Sequence, residues 1–124
     1  MTAPGSVHAA FTNLRLDLED GVAVVTIDVP NEPVNTLNAS VVAEFGRLFD
    51  FLEGEPSVSA AVLISGKPDI YIAGADIEQF LTLKTAKEAE ALSRAGQQLL
   101  LRIEKLRVPV VAAINGACLG GGLE

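Results

Sequence analysis

Apolar and polar residues alternate from Leu14 to Leu18, with Leu14, Leu16 and Leu18 separated by Arg15 and Asp17, which is the two-residue period of a half-buried strand. Glu19-Asp-Gly21 supplies a turn, and the β-branched run from Val22 to Asp28 forms the second arm of a hairpin. Pro30-Asn-Glu-Pro33 breaks that strand. The period then becomes helical: Val41, Val42, Phe45, Leu48, Phe49 and Leu52 fall on one face, Asn38 stands at the cap, and Gly54 and Pro56 end the element. This stripe predicts core packing. Ala60 to Ser65 reads as a buried strand, Gly66-Lys-Pro-Asp69 as a loop, and Tyr71-Ile72 as a return to extended chain. Ala73, Gly74 and Ala75 are small, so the backbone there can approach another surface.

Thr85 and Glu88 have capping-box spacing and open a helix that runs to about Leu106, with Leu92, Ala95, Leu99, Ile103 and Leu106 on its apolar side. Pro109 forces an extended start to the apolar run Val110–Ile114, which predicts a buried strand. Asn115-Gly116 turns the chain toward Gly120, Gly121 and Gly122. The alternation of strands and helices, without a sequence repeat or a low-complexity linker, predicts a layered α/β fold.

Composition narrows the function. The chain has 124 residues, about half of them hydrophobic, and a net charge of -7. Its pI is near 4.6 and its mean hydropathy +0.37. That acidity excludes the basic footprint a nucleic-acid binder needs, and no apolar run reaches the length of a membrane span. Residues 1–12, small and polar, are expected to be a flexible tail with neither signal nor transit peptide, which suits a cytoplasmic setting. The single cysteine, Cys118, allows no internal disulfide and is expected to pack beside the glycines, not to act as a nucleophile. His8 is the only histidine and falls in that tail, so His-based triads and His/Cys metal sites lack their parts; no metal is expected. Acid–base chemistry is left to carboxylates.

The glycine run lacks the lysine and serine or threonine of a P-loop, and glycine spacing from Gly116 or Gly120 does not match a dinucleotide fingerprint. Two readings stay open from spacing alone: a structural strand-to-helix turn, or a set of unpaired first-turn N–H groups that holds an anion or an oxyanion. Glu124 follows Gly121 by three residues, about one helical turn, which puts its carboxylate on the same side. Because the chain stops in the first turn of the helix those glycines should start, it is expected to be a fragment.

Tyr71-Ile-Ala-Gly-Ala-Asp-Ile77 followed by Ile114-Asn-Gly-Ala-Cys-Leu-Gly-Gly-Gly-Leu-Glu124 resembles the crotonase (enoyl-CoA hydratase/isomerase) superfamily over Leu14 to the chain end. Pro33-Val-Asn-Thr-Leu37, Ser65-Gly-Lys-Pro68, the run Lys84–Leu92 and Gly96-Gln-Gln-Leu99 are similar to the α-subunit family of the multifunctional fatty-acid oxidation complex. The resemblance implies an α/β crotonase-like fold of repeated ββα units, of which residues 13–124 form an incomplete N-terminal part. It also implies hydration of a 2-enoyl-CoA in fatty-acid β-oxidation, with accompanying isomerase activity. The alternatives are another acyl-CoA reaction of the superfamily or a non-catalytic acyl-CoA-binding module.

By the same resemblance the backbone N–H groups of Ala75 and Gly121 form an oxyanion hole, and Glu124 activates the water. A second catalytic glutamate is expected further along. Ala73, Gly74, Asp76, Gly120 and Lys67 are secondary substrate-contact candidates: Asp76 more simply caps a short helix, and Lys67 is a loop lysine that could meet a CoA phosphate. No cofactor is expected in this domain, NAD belonging to a 3-hydroxyacyl-CoA dehydrogenase portion. The implied partners are acyl-CoA, further copies in an oligomer, and a thiolase β subunit.

Overall fold

The computed structural model describes residues 11–124, so His8 and most of the proposed tail lie outside the described residues. β1 (Leu14–Glu19) and β2 (Val22–Ile27) form the expected antiparallel hairpin with Glu19 opposite Val22. The two-residue turn Asp20-Gly21 has positive φ at both positions, as a right-twisted hairpin demands. α1 (Ala39–Gly54) carries the chain across to β3 (Ala60–Ser65), which lies parallel to β2. β4 (Ile70–Ile72), a 3-10 helix (Ile77–Thr82) and α2 (Ala86–Glu104) follow. β5 (Val110–Ala113) then pairs in parallel with β3, giving a sheet of order β1-β2-β3-β5. β6 (Ala117–Cys118) pairs in parallel with β4 as a separate small sheet. The strand–strand–helix unit thus occurs as β1-β2-α1 and again as β3-β4-α2, and β5-β6 begins a third.

The core lies between the large sheet and α1. Leu16, Val25 and Ile27 face Val41, Phe45, Leu48 and Leu52, all buried, and each fully buried side chain of this kind contributes about 1.5–3 kcal/mol of gross stabilisation. Helix termini follow local chemistry. The Asn38 side chain accepts from Val41 N at 2.8 Å. Thr85 accepts from Glu88 N while Glu88 reaches back to Lys84 N, closing the capping box one residue upstream of the usual position. The α1 C-terminus is held from far along the chain, where Arg107 donates to the carbonyls of Leu52, Glu55 and Val58.

Three expectations change. Phe11 and Thr12, grouped with the tail, are anchored: Phe11 packs on the core, and the Glu44 carboxylate accepts the N–H groups of Thr12, Asn13 and Leu14. The reason is a carboxylate on the core face of α1 facing the three N–H groups that precede and open β1. β5 is not a buried strand. It is an edge of the sheet among the described residues, with Val111 and Ile114 each more than half exposed. α2 likewise has no fully buried residue; Leu99 and Ile103 touch the core, whereas Ala95 is exposed.

Candidate active site

Three extended segments, distant in sequence, lie side by side where the small sheet ends. Asn35–Leu37 runs beside the chain leaving β4, with Ala73 N–H donating to Asn35 C=O and Leu37 N–H donating to Gly74 C=O, both at 2.8 Å. On the other side, Ala117 N–H donates to Asp69 C=O and Leu119 N–H to Ile72 C=O, at 3.1 and 3.0 Å. The result is that the Gly74 and Gly120 loops touch. A Cβ built on Gly74 would stand 3.3 Å from Leu119 O and 3.7 Å from Gly121 N, and one on Gly120 would stand 3.3 Å from Gly74 Cα. Both residues also have positive φ, +109° and +53°, which only glycine adopts without cost.

The peptide orientations are held from behind. The Gly74 carbonyl belongs to the same planar unit as the Ala75 N–H, and these groups point in opposite directions in a trans peptide. Because Leu37 N–H holds that carbonyl, the Ala75 N–H is directed away from it. The Gly120 carbonyl accepts Leu123 N–H at 2.9 Å and Glu124 N–H at 3.3 Å, which fixes the Gly121 N–H in the same manner. Among the described residues, neither the Ala75 nor the Gly121 N–H has an acceptor. Leu37 bears on both peptides, since its Cδ1 lies 2.9 Å from where a Gly121 Cβ would stand.

Glu124 is exposed and close in sequence to this loop, and its carboxylate makes no hydrogen bond or ion pair among the described residues. The glycines form a single 3-10 turn, Gly120–Gly122. Ala73 and Asp76 flank the Gly74–Ala75 peptide. Asp76 caps the 3-10 helix, accepting from Glu78 N at 3.1 Å, as the simpler expectation had it. Lys67 is redirected. Its ammonium meets Asp28 at 2.7 Å and donates to Val29 C=O at 2.6 Å, with the side chain 11% exposed. In this structure the loop lysine is paired with Asp28, not simply solvated.

Cys118 packs as expected, its thiol donating to Gly122 C=O at 3.1 Å. Tyr71 is buried beside it, and that burial, with a smaller contribution from Cys118, pushes its phenol up to about 12. No group of three or more His, Cys, Asp or Glu side chains suited to a metal occurs among the described residues, and no helix there is long and apolar enough to cross a membrane.

Asn35 escaped notice except as part of a motif. It is fully buried, with Oδ1 accepting from Val29 N and Nδ2 facing Ile27 O, Ser65 Oγ and Tyr71 O, all at 2.9–3.0 Å. Its neighbours Val34 and Thr36 carry no local signal that the amide is buried. Asn115, read as part of a turn, extends the sheet instead: its side chain exchanges hydrogen bonds with Ser65 N and Ser65 O, at 3.3 and 2.8 Å.

Comparison with known proteins bears on the family and the fold. The family model described as enoyl-CoA hydratase/isomerase matches residues 17–124. A fatty acid oxidation complex subunit alpha from Idiomarina loihiensis is 58% identical over 106 residues, covering 86% of this chain and 15% of that protein. The crystal structure of an enoyl-CoA hydratase/carnithine racemase from Magnetospirillum magneticum superposes with a TM-score of 0.82 at 31% identity, over 91% of this chain and 42% of that one. An enoyl-CoA hydratase from Shewanella pealeana superposes at 0.86 with 18% identity, over 99% of this chain and 46% of that one, a likeness of fold alone. The chain therefore spans less than half of these solved structures and a small part of the longer relative. With crotonase-fold neighbours and a family match over most of its length, the chain belongs to the enoyl-CoA hydratase/isomerase family.

Proposed function

We propose that these residues form the oxyanion-stabilising half of an active site that adds water to a trans-2-enoyl-CoA in fatty-acid β-oxidation. The observation that carries the reading is the pair of unbonded N–H groups, Ala75 and Gly121, on touching loops whose carbonyls are held from behind. Hydration begins when water attacks the β-carbon. Its proton passes to the Glu124 carboxylate, the double-bond electrons shift toward the α-carbon, and negative charge collects on the thioester oxygen. Two fixed N–H donors at that oxygen stabilise the enolate, with about 3–4 kcal/mol a typical loss when one such donor is removed. A proton delivered to the α-carbon completes the addition, and the second glutamate implied by the resemblance fills that role. No electron leaves or enters, so the step calls for no redox cofactor.

The parent protein, by this reading, is a multifunctional β-oxidation enzyme, and its dehydrogenase activity, its oligomeric assembly, a thiolase partner and a cytoplasmic location are part of the proposal. The deciding experiment is the hydration of crotonyl-CoA by the full-length protein that carries this segment, followed as loss of the conjugated thioester absorbance. Turnover that depends on Glu124 supports the assignment. A full-length protein that binds acyl-CoA without hydrating it would replace the enzyme with a binding module.

A further inference from the structure

Building on the reading of Ala75 and Gly121 as enolate-stabilising donors, we infer that Asn35, remote from the reacting atoms, is a positioning residue that sets the direction of the Ala75 N–H. The chain of causes is short. Asn35 is fully buried and its amide uses both ends: Oδ1 accepts Val29 N–H, and Nδ2 faces Ile27 O, Ser65 Oγ and Tyr71 O. These partners lie on or beside β2, β3 and β4, so one side chain fixes segment 35–37 against three strands. Two residues on, Leu37 N–H holds the Gly74 carbonyl, whose peptide carries the Ala75 N–H. Asn35 also accepts Ala73 N–H through its own carbonyl, so the β4 exit strand is gripped at two successive points.

The geometry gives the peptide a single stable orientation. Rotating the Gly74–Ala75 unit to turn its N–H inward breaks the Leu37 bond, and glycine at 74 offers no steric resistance to that rotation. The resistance comes from the placement of Leu37 N, which a loosened segment 35–37 cannot maintain. A hydrogen bond onto the carbonyl also polarises the same peptide and strengthens its N–H as a donor. Leu37 passes part of the same constraint to the second donor, because its side chain lies against Gly121.

The test separates positioning from folding by comparing two ligands in the full-length protein. Acetoacetyl-CoA ionises to an enolate with charge on the thioester oxygen, whereas butyryl-CoA presents a neutral carbonyl. Wild type should prefer the enolate form. Asn35→Ser should reduce that preference by about tenfold, less than the ~10²–10³-fold lost when an oxyanion-hole donor is removed outright, while butyryl-CoA affinity per folded molecule changes little. Ser65→Ala removes one of the amide's partners and keeps the others, so it should fold more securely and shift the preference in the same direction by less. A purely structural asparagine would lower Tm and active fraction but leave the ratio untouched, and that result in both variants overturns the inference. Wild type showing no enolate preference overturns instead the donor reading on which it rests.

Discussion

The side chain of Leu37 stands where a Cβ on Gly121 would have to go, with Cδ1 only 2.9 Å from that position. Gly122, next along, faces a different obstacle: its Cβ would meet Ile72 Cβ and the Ile72 carbonyl, both at 2.7 Å. The terminus of a leucine can turn aside, whereas a strand backbone cannot. Gly122→Ala is therefore expected to cost about 1–3 kcal/mol as an overpacked site, and Gly121→Ala less than about 1 kcal/mol. Because Gly121 carries a proposed donor, its variant should lose more hydration than its stability change explains. Urea melts of the two variants, set beside turnover, check the order; equal destabilisation would mean that the loop moves as a whole.

Glu124→Gln tests the proposed base without altering shape. The amide cannot take a proton from water at neutral pH, so turnover of crotonyl-CoA by the full-length protein should fall by about 10²–10⁴-fold, the range typical of lost acid–base catalysis. Affinity for a saturated acyl-CoA should remain, since that ligand undergoes no proton transfer to the carboxylate. Retained turnover would assign the water to another residue.

The readable parts of this chain were those whose cause lies within one turn or one strand. Asn38, Asp76 and Thr85 cap the elements that follow them, and the α1 stripe at Val41, Phe45, Leu48 and Leu52 is buried as its spacing required. Polar residues acting across the fold were hidden. Asn35, Glu44, Arg107 and Asn115 all bond partners tens of residues away, and nothing local distinguishes them from solvated side chains. The apolar run of β5 did signal a need for burial, but among the described residues β5 is an edge strand with Val111 exposed. For the site, two glycine-bearing motifs pointed to Ala75 and Gly121 through resemblance. That Leu37 holds one of the two peptides, across 37 residues of chain, required the register of the small sheet.

Glu44 is a buried acid on the core face of α1, among the apolar positions Val41, Phe45 and Leu48. Its carboxylate accepts Thr12, Asn13 and Leu14 N–H groups and the Asn13 side-chain amide. Removing it in Glu44→Ala leaves backbone donors without partners at the start of β1, which costs about 1–3 kcal/mol for each buried donor that water cannot reach. Tm should drop, and amide exchange should accelerate first at residues 12–14, before the β2 and β3 amides. Uniform acceleration across the sheet would show that β1 does not open separately.

Tyr71 gives the fold an alkaline limit. Its phenol is raised from 10.0 to about 12, chiefly by burial and next by Cys118. In the unfolded chain the phenol releases its proton near its ordinary value, so between the two values the folded state binds more protons than the unfolded one. Stability then falls as pH rises, because the unfolded state binds fewer protons. The contribution is fully present below about pH 10 and is lost progressively as pH climbs through about 12. Since β4 carries Tyr71 and the next residues carry the Gly74 peptide, alkaline loosening should begin at the site, with ligand affinity falling before global unfolding. Tyr71→Phe removes the ionisation and keeps the ring. Urea midpoints taken from pH 8 to 12 should slope down in wild type, with a shallower slope in the variant attributable to the phenol. Parallel slopes would place the alkaline sensitivity outside Tyr71.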